Sequence, residues 1–225
     1  MDFDREKVVN FYTEVLDKLM ETYAFQDFAA DPDSDFFADV EDEVLDNNTE
    51  NLQFFSGISK GVIYAPGMPQ YVIKIPFLSN WGEDYCRIEV AMYQEAKKEN
   101  LERFFAASDF LMYYGADKLP VYIMEYMRVN GVYIDRSGKQ ILTQKSEDVG
   151  EVKSLDFGSD EPPTGRSTGK CIHYLTEAYL SSILPEDDFK ELVDFLEELS
   201  INDIHSNNVG FREDHSVGLI DYSGI

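Results

Sequence analysis

The stretch Ile201 to Ile225, INDIHSNNVGFREDHSVGLIDYSGI, decides how this chain is read. Asp203 is followed five residues later by Asn208, and Asp221 comes thirteen residues after Asn208. Between them, NNVGF and SVGLI read as two short strands around a polar turn. An Asp and an Asn on one loop, with a second Asp returned beside them by a hairpin, form a recognisable chemical set. Phosphoryl transfer to a hydroxyl needs a carboxylate at the acceptor proton and hard oxygen donors that hold Mg²⁺ against phosphates. Asp and Asn taken singly also cap turns, so the reading rests on all three at this spacing.

Composition bounds the alternatives. The chain has 225 residues, with 44 Asp and Glu against 19 Lys and Arg, a formal net charge of −25. That length fits one large domain or two small lobes and can bury a core. A 44% hydrophobic and 14% aromatic content is globular rather than disordered. Such an acidic surface repels DNA and RNA, whose recognition needs clustered Lys and Arg, and it repels anionic lipid. The partner it suits is a basic macromolecule or none. No run of 18 apolar residues is present. The start, MDFDREKVVNFYTEVLDKL, has no apolar core behind a basic region, so a cytoplasmic protein is expected. Cys86 and Cys171 lie far apart and are expected as free thiols, and no Cys/His spacing matches a zinc site.

Working back from the C-terminus, helices are expected near 172–184 and 186–199, the second opening on Pro185 and Glu186-Asp187-Asp188. Residues 128–170 read as irregular, with a hairpin around Arg136–Gly138. FLMYYG and LPVYIMEYM read as paired strands joined at Ala116–Lys118, and 83–99 as a long helix. NLQFFSGIS, GVIYAP and QYVIKIPF read as three strands over 52–78. The first 23 residues carry Phe3, Val8, Phe11, Tyr12, Val15, Leu19 and Tyr23 at roughly helical spacing. Residues 26–50 hold ten acidic residues and no basic one, and read as a solvated linker or helix face. Phe28, Phe36, Phe37 and Leu45 suggest that part of this run packs.

The C-terminal pattern, D-x-x-x-x-N, hairpin, then D-x-x-G, resembles the protein kinase-like superfamily, as Asp203 to Asn208 and Asp221-Tyr222-Ser223-Gly224. The form Asp-x-His-x-x-Asn is closer to aminoglycoside and other small-molecule phosphotransferases. The resemblance implies that Asp203 is the catalytic base, Asn208 a metal ligand and Asp221 the principal Mg²⁺ ligand. Two departures stand out. Ile201-Asn202 replaces the usual His-Arg, which removes the anchor for a phosphorylated activation segment, and Tyr222 replaces Phe.

The resemblance makes demands upstream. It implies a strand Lys on the α/β-phosphates, met by Lys74 in YVIKIPF, and a helix Glu that pairs with it. Glu89 has Tyr85, Met92, Tyr93 and Ala96 as helical neighbours, so it faces an apolar side where a charge needs a partner. Glu95 lies on another face and is the second choice. Ile123 to Met127 resembles the kinase hinge, with Met124 as gatekeeper and the backbone of Glu125 and Met127 meeting adenine. Gly57, Ser59 and Gly61 stand where the phosphate loop belongs, with two glycines and one residue too few. Leu155-Asp156-Phe157-Gly158 precedes the catalytic loop and is excluded by chain order. Gly165 to Cys171 imitates a Walker loop with the wrong spacing.

The expectation is therefore an α+β, bilobal protein kinase-like fold with a small antiparallel N-lobe sheet and a strongly reduced, mainly helical C-lobe. Residues 1–50 form a helical, acidic extension, 51–127 the N-lobe and hinge, and 128–225 the reduced C-lobe. The expected function is ATP-dependent, Mg²⁺-assisted phosphoryl transfer to a hydroxyl, with protein Ser/Thr first and a small molecule second. The expected cofactors are ATP and Mg²⁺, with no nucleic acid or membrane partner. The alternative is a pseudokinase-type acidic module that binds or inhibits a basic protein. An acidic mimic of nucleic acid is a third reading, motivated by net charge alone.

Overall fold

A computed structural model describes residues 3–45, 51–129, 131–134, 140–143, 171–172, 174–202 and 204–223. Helix α1, Arg5–Leu19, starts where Asp4 accepts the Lys7 N–H at 3.1 Å. The periodic stretch expected to run to Tyr23 stops there. Thr22 donates its hydroxyl to the Leu19 carbonyl and accepts the Phe25 N–H, so one side chain closes α1 and caps α2, Tyr23–Ala30. Asp33 then accepts the Asp35 and Phe36 N–H groups and opens α3, Ser34–Leu45.

The acidic run is thus largely helical rather than a solvated linker. Its carboxylates ride on helices whose other face carries Phe25, Phe28, Phe37, Val40 and Val44 into a core. Strands β1 (Gln53–Ser56), β2 (Lys60–Tyr64) and β3 (Tyr71–Pro76) follow. A short helix α4 (Leu78–Trp81) leads to α5 (Tyr85–Lys98), then β4 (Ser108–Tyr114) and β5 (Leu119–Glu125). The five strands form one antiparallel sheet in the order β1-β2-β3-β5-β4. The architecture is mixed α+β.

Register assigns the two faces of the sheet. Ile63, Ile73 and Ile123 lie opposite one another and join the helical core with Phe54, Ile75 and Val121. Because side chains alternate along a strand, the other face carries Val62, Lys74 and Tyr122 as a second cross-strand row. One face therefore packs on the apolar sides of α1 to α3. The other holds the charged residues described below.

Two compact units divide the chain: Met1–Ala91 with Ala107–Tyr126, and Met92–Ala106 with Met127–Ile225. The helices and the sheet above belong to the first, apart from the last turns of α5. In the second, β6 (Gly131–Ile134) pairs with β7 (Gln140–Thr143); the turn at Arg136–Gly138 lies outside the described residues. Helices α6 (Tyr174–Ile183) and α7 (Glu186–Glu198) precede the hairpin of β8 (Val209–Phe211) and β9 (Val217–Leu219). Three carboxylates, Glu186, Asp187 and Asp188, occupy the first turn of α7, where they oppose the positive end of the helix dipole.

Candidate functional site

In the first unit, the face of the sheet turned away from α1 to α3 holds a buried ionic cluster. The Lys74 ammonium donates to both oxygens of Glu89, at 3.1 Å to Oε1 and 3.0 Å to Oε2. A third member joins them: the Lys60 ammonium donates to Glu89 Oε1 at 2.7 Å. The side chains are 6%, 1% and 3% exposed for Lys74, Glu89 and Lys60. Lys60 opposite Pro76, and Val62 opposite Lys74, place the two lysines as diagonal neighbours on one face. Ion pairs removed from water in this way interact far more strongly than surface pairs, and they also cost far more to break.

Helix α5 delivers Glu89 to this cluster through a second attachment. Asp84 caps α5 by accepting the Arg87 N–H at 2.9 Å through Oδ1, while its Oδ2 accepts the Tyr122 hydroxyl. Tyr122 is the β5 partner of Lys74, so both attachments fall on one row of the sheet. Burial pushes the Tyr122 hydroxyl well above its ordinary range, and the Asp84 carboxylate adds to it. Cys86, one turn before Glu89, is buried, and desolvation followed by the Glu89 charge pushes its thiol upward against the opposing pull of the lysines. It therefore stays a protonated thiol and not a nucleophile. Cys86 and Cys171 are both free.

Of the residues expected at the phosphate loop, Gly57 and Ser59 lie in the β1–β2 turn and Gly61 lies in β2. The Gly57 N–H donates to the Lys60 carbonyl at 2.9 Å, and the Ser59 carbonyl accepts the Phe77 N–H at 2.8 Å, with the Ser59 side chain buried. Gly61 has a packing role. A Cβ there would stand 2.4 Å from Phe37 Cε2, since strand alternation turns this position toward α3. Met124 is buried opposite Val72, on the Lys74 face. The Glu125 N–H donates to the Ala107 carbonyl at 2.8 Å, and its carboxylate accepts the Ala107 N–H at 3.2 Å.

The second unit holds the C-terminal group. Asn208 directly precedes β8, and its carbonyl accepts the Ile220 N–H at 2.9 Å, one residue before Asp221. The hairpin thus returns Asp221 to the neighbourhood of Asn208, which is buried. Ser223 donates to Asp221 Oδ1 at 3.3 Å. Tyr222 is fully buried. Its hydroxyl donates to the Ala106 carbonyl at 2.8 Å and its ring packs edge-on against Phe105 at 5.1 Å. Arg212 donates to the Phe105 carbonyl at 2.9 Å and so fastens the same segment. The Met127 side chain occupies the space above Gly210 and Gly218, where a Cβ would stand 2.6 and 2.8 Å from it. Asp203 and Gly224 lie outside the described residues, as do residues 155–158 and 165–170.

The donor chemistry suits two groups. Two buried ammoniums around one carboxylate suit a polyanion such as a triphosphate. The Asp221 carboxylate with the Asn208 amide oxygen suits Mg²⁺, which prefers hard oxygens and takes few of them from protein. Lys60, Asp84 and Tyr122 were not singled out by the sequence. An Asp three residues before Arg87 is a helix-start signal that would have identified Asp84. No known family model and no curated protein matches this chain. Among the described residues no helix is long and apolar enough to cross a membrane.

Proposed function

We propose that this chain is an ATP-dependent, Mg²⁺-assisted phosphotransferase on a reduced, bilobal protein kinase-like fold. The observation that carries the reading is the buried Lys74–Glu89 pair. It joins a central strand to the helix between β3 and β4, in a sheet ordered β1-β2-β3-β5-β4. An inward Lys–Glu pair at that point is what a kinase-like N-lobe requires to hold α/β-phosphates. The hairpin that brings Asn208 and Asp221 together supports the same reading from the other end of the chain.

In this reading Lys74 binds phosphate oxygens and Glu89 orients Lys74. Met124 and the backbone of Glu125 and Met127 take the adenine. Asp203 accepts the acceptor hydroxyl's proton. Asn208 and Asp221 hold Mg²⁺, which when bound neutralises charge on the transferred phosphoryl group. A protein Ser/Thr hydroxyl is the first acceptor to test, because an acidic protein attracts basic polypeptides; a small-molecule hydroxyl is the second.

The test is transfer from γ-labelled ATP with Mg²⁺ to a basic protein acceptor and to an aminoglycoside, with Asp221→Asn and Lys74→Met in parallel. Label transfer that needs Mg²⁺ and falls at least about a hundredfold in either variant supports the reading. Equal, background-level transfer by all three proteins sinks it.

A pseudokinase is the second reading. The β1–β2 turn favours it, since the Gly57 N–H is spent on the Lys60 carbonyl and Gly61 faces Phe37. Nucleotide binding without label transfer, together with tight, salt-sensitive binding of a basic protein, is the outcome that selects it.

A further inference from the structure

We infer that the outer side of strand β1 is a docking edge for a basic, extended segment of another protein, which adds to the sheet as a further strand. The inference goes beyond the phosphotransferase reading and does not rest on it. In the order β1-β2-β3-β5-β4 the sheet has two edges, and they are finished differently. The β4 edge is closed. Arg5 of α1 donates to the Leu111 carbonyl at 2.8 Å and to the Phe110 carbonyl, and it pairs with Asp109 at 3.4 Å. The register of β4 also slips between Phe110 and Met112. A capping cation and a bulge both keep a foreign strand off an edge.

Strand β1, Gln53–Ser56, carries neither device. Its register with β2 is unbroken, and among the described residues no side chain bonds its outer backbone groups. The Gly57 N–H on the Lys60 carbonyl sets the phase of the ladder, so Phe55 with Val62 and Gln53 with Tyr64 are the bonded pairs. Phe54 and Ser56 therefore turn their N–H and C=O groups outward. Gln53, Phe55, Ser56 and Gly57 are exposed, so the edge is open to a partner.

The two faces beside this edge specify the occupant. Phe55 stands opposite Val62, on the face that carries Lys74, and is 43% exposed; Ile58 in the following turn is 72% exposed. Phe54 points to the other face, where its ring lies 5.9 Å from that of Phe37 in α3. Helix α3 carries Asp35, Asp39, Glu41, Asp42 and Glu43 and no Lys or Arg. The first basic residue after Lys18 is Lys60, whose ammonium is turned inward on Glu89 and does not offset that charge. A strand laid on the edge places alternate residues beside Phe55 and beside α3. Apolar residues suit the first set, and Lys or Arg the second. The occupant is thus an extended segment of alternating basic and apolar residues, held through its backbone by Phe54 and Ser56. A second copy of this chain would bring two acidic α3 helices together, so charge opposes self-pairing.

The probe is the peptide Lys-Val-Lys-Val-Lys-Val-Lys, measured by calorimetry at low and high salt on the full chain, on Ser56→Pro and on the double variant Asp39→Asn with Asp42→Asn. Ser56→Pro removes one outward N–H and spares the β1–β2 ladder, since proline is tolerated on the open side of an edge strand. Wild type is expected to bind with a Kd tighter than about 1 mM. Ser56→Pro should weaken binding at least about fivefold, and so should a proline in place of the central valine of the peptide, which keeps its charge. The double variant should weaken binding about threefold and flatten its salt dependence. No binding by wild type overturns the inference. Equal binding by Ser56→Pro, or of the two peptides, shows charge attraction without strand pairing and also overturns it. A double variant that binds like wild type at both salt concentrations overturns the basic occupant.

Should Ser56→Pro fail to fold, amide hydrogen exchange of wild type answers instead. The Ser56 amide should slow when the peptide is added, and an unchanged rate there overturns the inference. Self-association of wild type through β1 without peptide binding assigns the edge to a second copy and overturns it as well. Peptide binding without transfer from ATP leaves the edge standing and removes the phosphotransferase reading; transfer without peptide binding does the reverse.

Discussion

Lys74 grips Glu89 through both carboxylate oxygens, at 3.1 and 3.0 Å, from a strand that is buried along nearly its whole length. Removing Glu89 takes the carboxylate from two buried ammoniums at once, whereas removing Lys74 leaves Glu89 beside Lys60. Glu89→Ala should therefore destabilise the protein by about 3–5 kcal/mol, the cost of breaking a buried ion pair from one side. Lys74→Met should cost distinctly less. Urea unfolding of both variants measures the order. Equal losses would show that Lys60 does not hold Glu89 once Lys74 is gone, and a Glu89→Ala loss below about 1 kcal/mol would show that the cluster behaves as a solvated surface pair.

The second prediction concerns Gly61, where a Cβ would stand 2.4 to 2.6 Å from three ring atoms of Phe37. Phe37 is itself fixed, with ring centroids 5.2 Å from Phe28, 5.9 Å from Phe54 and 5.6 Å from Phe77. The ring has little room to yield. Gly61→Ala should cost about 1–3 kcal/mol through overpacking. Phe37→Leu in the same chain should recover part of that cost, so the two changes are non-additive. A strictly additive double variant would mean that the clash is relieved elsewhere.

These two cases show what the sequence makes legible and what it hides. Helical arithmetic turns Glu89 toward an apolar face and Lys74 sits in a clear strand, and the resemblance to kinases is what names the two as partners before any fold is seen. Lys60 cannot be found in that way. It follows a turn at the start of a strand, and its burial arises only when β2 pairs with β3 and sets it diagonally from Lys74. Gly61 looks like part of a phosphate loop, yet strand alternation sends it to the opposite face. The acidic run reads as a linker or a helix face, and the structure selects the helix face, with Phe28 and Phe37 packed as their spacing suggests. Phe37, Val40 and Val44 repeat at helical spacing beneath the carboxylates and outweigh them once α3 packs.

A third prediction follows from Tyr222, which stands where the kinase pattern has Phe. Its hydroxyl donates to the Ala106 carbonyl at 2.8 Å in a fully buried setting. Tyr222→Phe keeps the edge-on contact with Phe105 but leaves that carbonyl short of a donor. A loss of about 1–3 kcal/mol is expected. Tyr222→Ala removes the ring as well and should cost about 3–5 kcal/mol, the range for emptying an aromatic core site. Thermal unfolding distinguishes them. A Phe variant as stable as wild type would mean that the hydroxyl contributes no net stability.

Alkaline pH provides the last prediction. Burial pushes the Cys86 thiol above its ordinary 9.0, and the Tyr12 and Tyr122 hydroxyls above their ordinary 10.0. In each case the folded chain favours the protonated form more than the unfolded chain does. Above the ordinary values the unfolded state sheds these protons while the folded state keeps them, so unfolding releases protons and stability falls as pH rises. The contribution is fully present below pH 9.0, begins to fade there as the unfolded thiol ionises, and fades more steeply above 10.0 as the tyrosines follow. Urea midpoints measured from pH 7 to 11 should be flat with respect to these groups up to about 9 and then fall. Cys86→Ser should remove the thiol's part of the decline, and iodoacetamide should label Cys86 only in step with unfolding. Rapid labelling of the folded protein at pH 8 would show instead that the thiol is ionised and accessible beside Glu89.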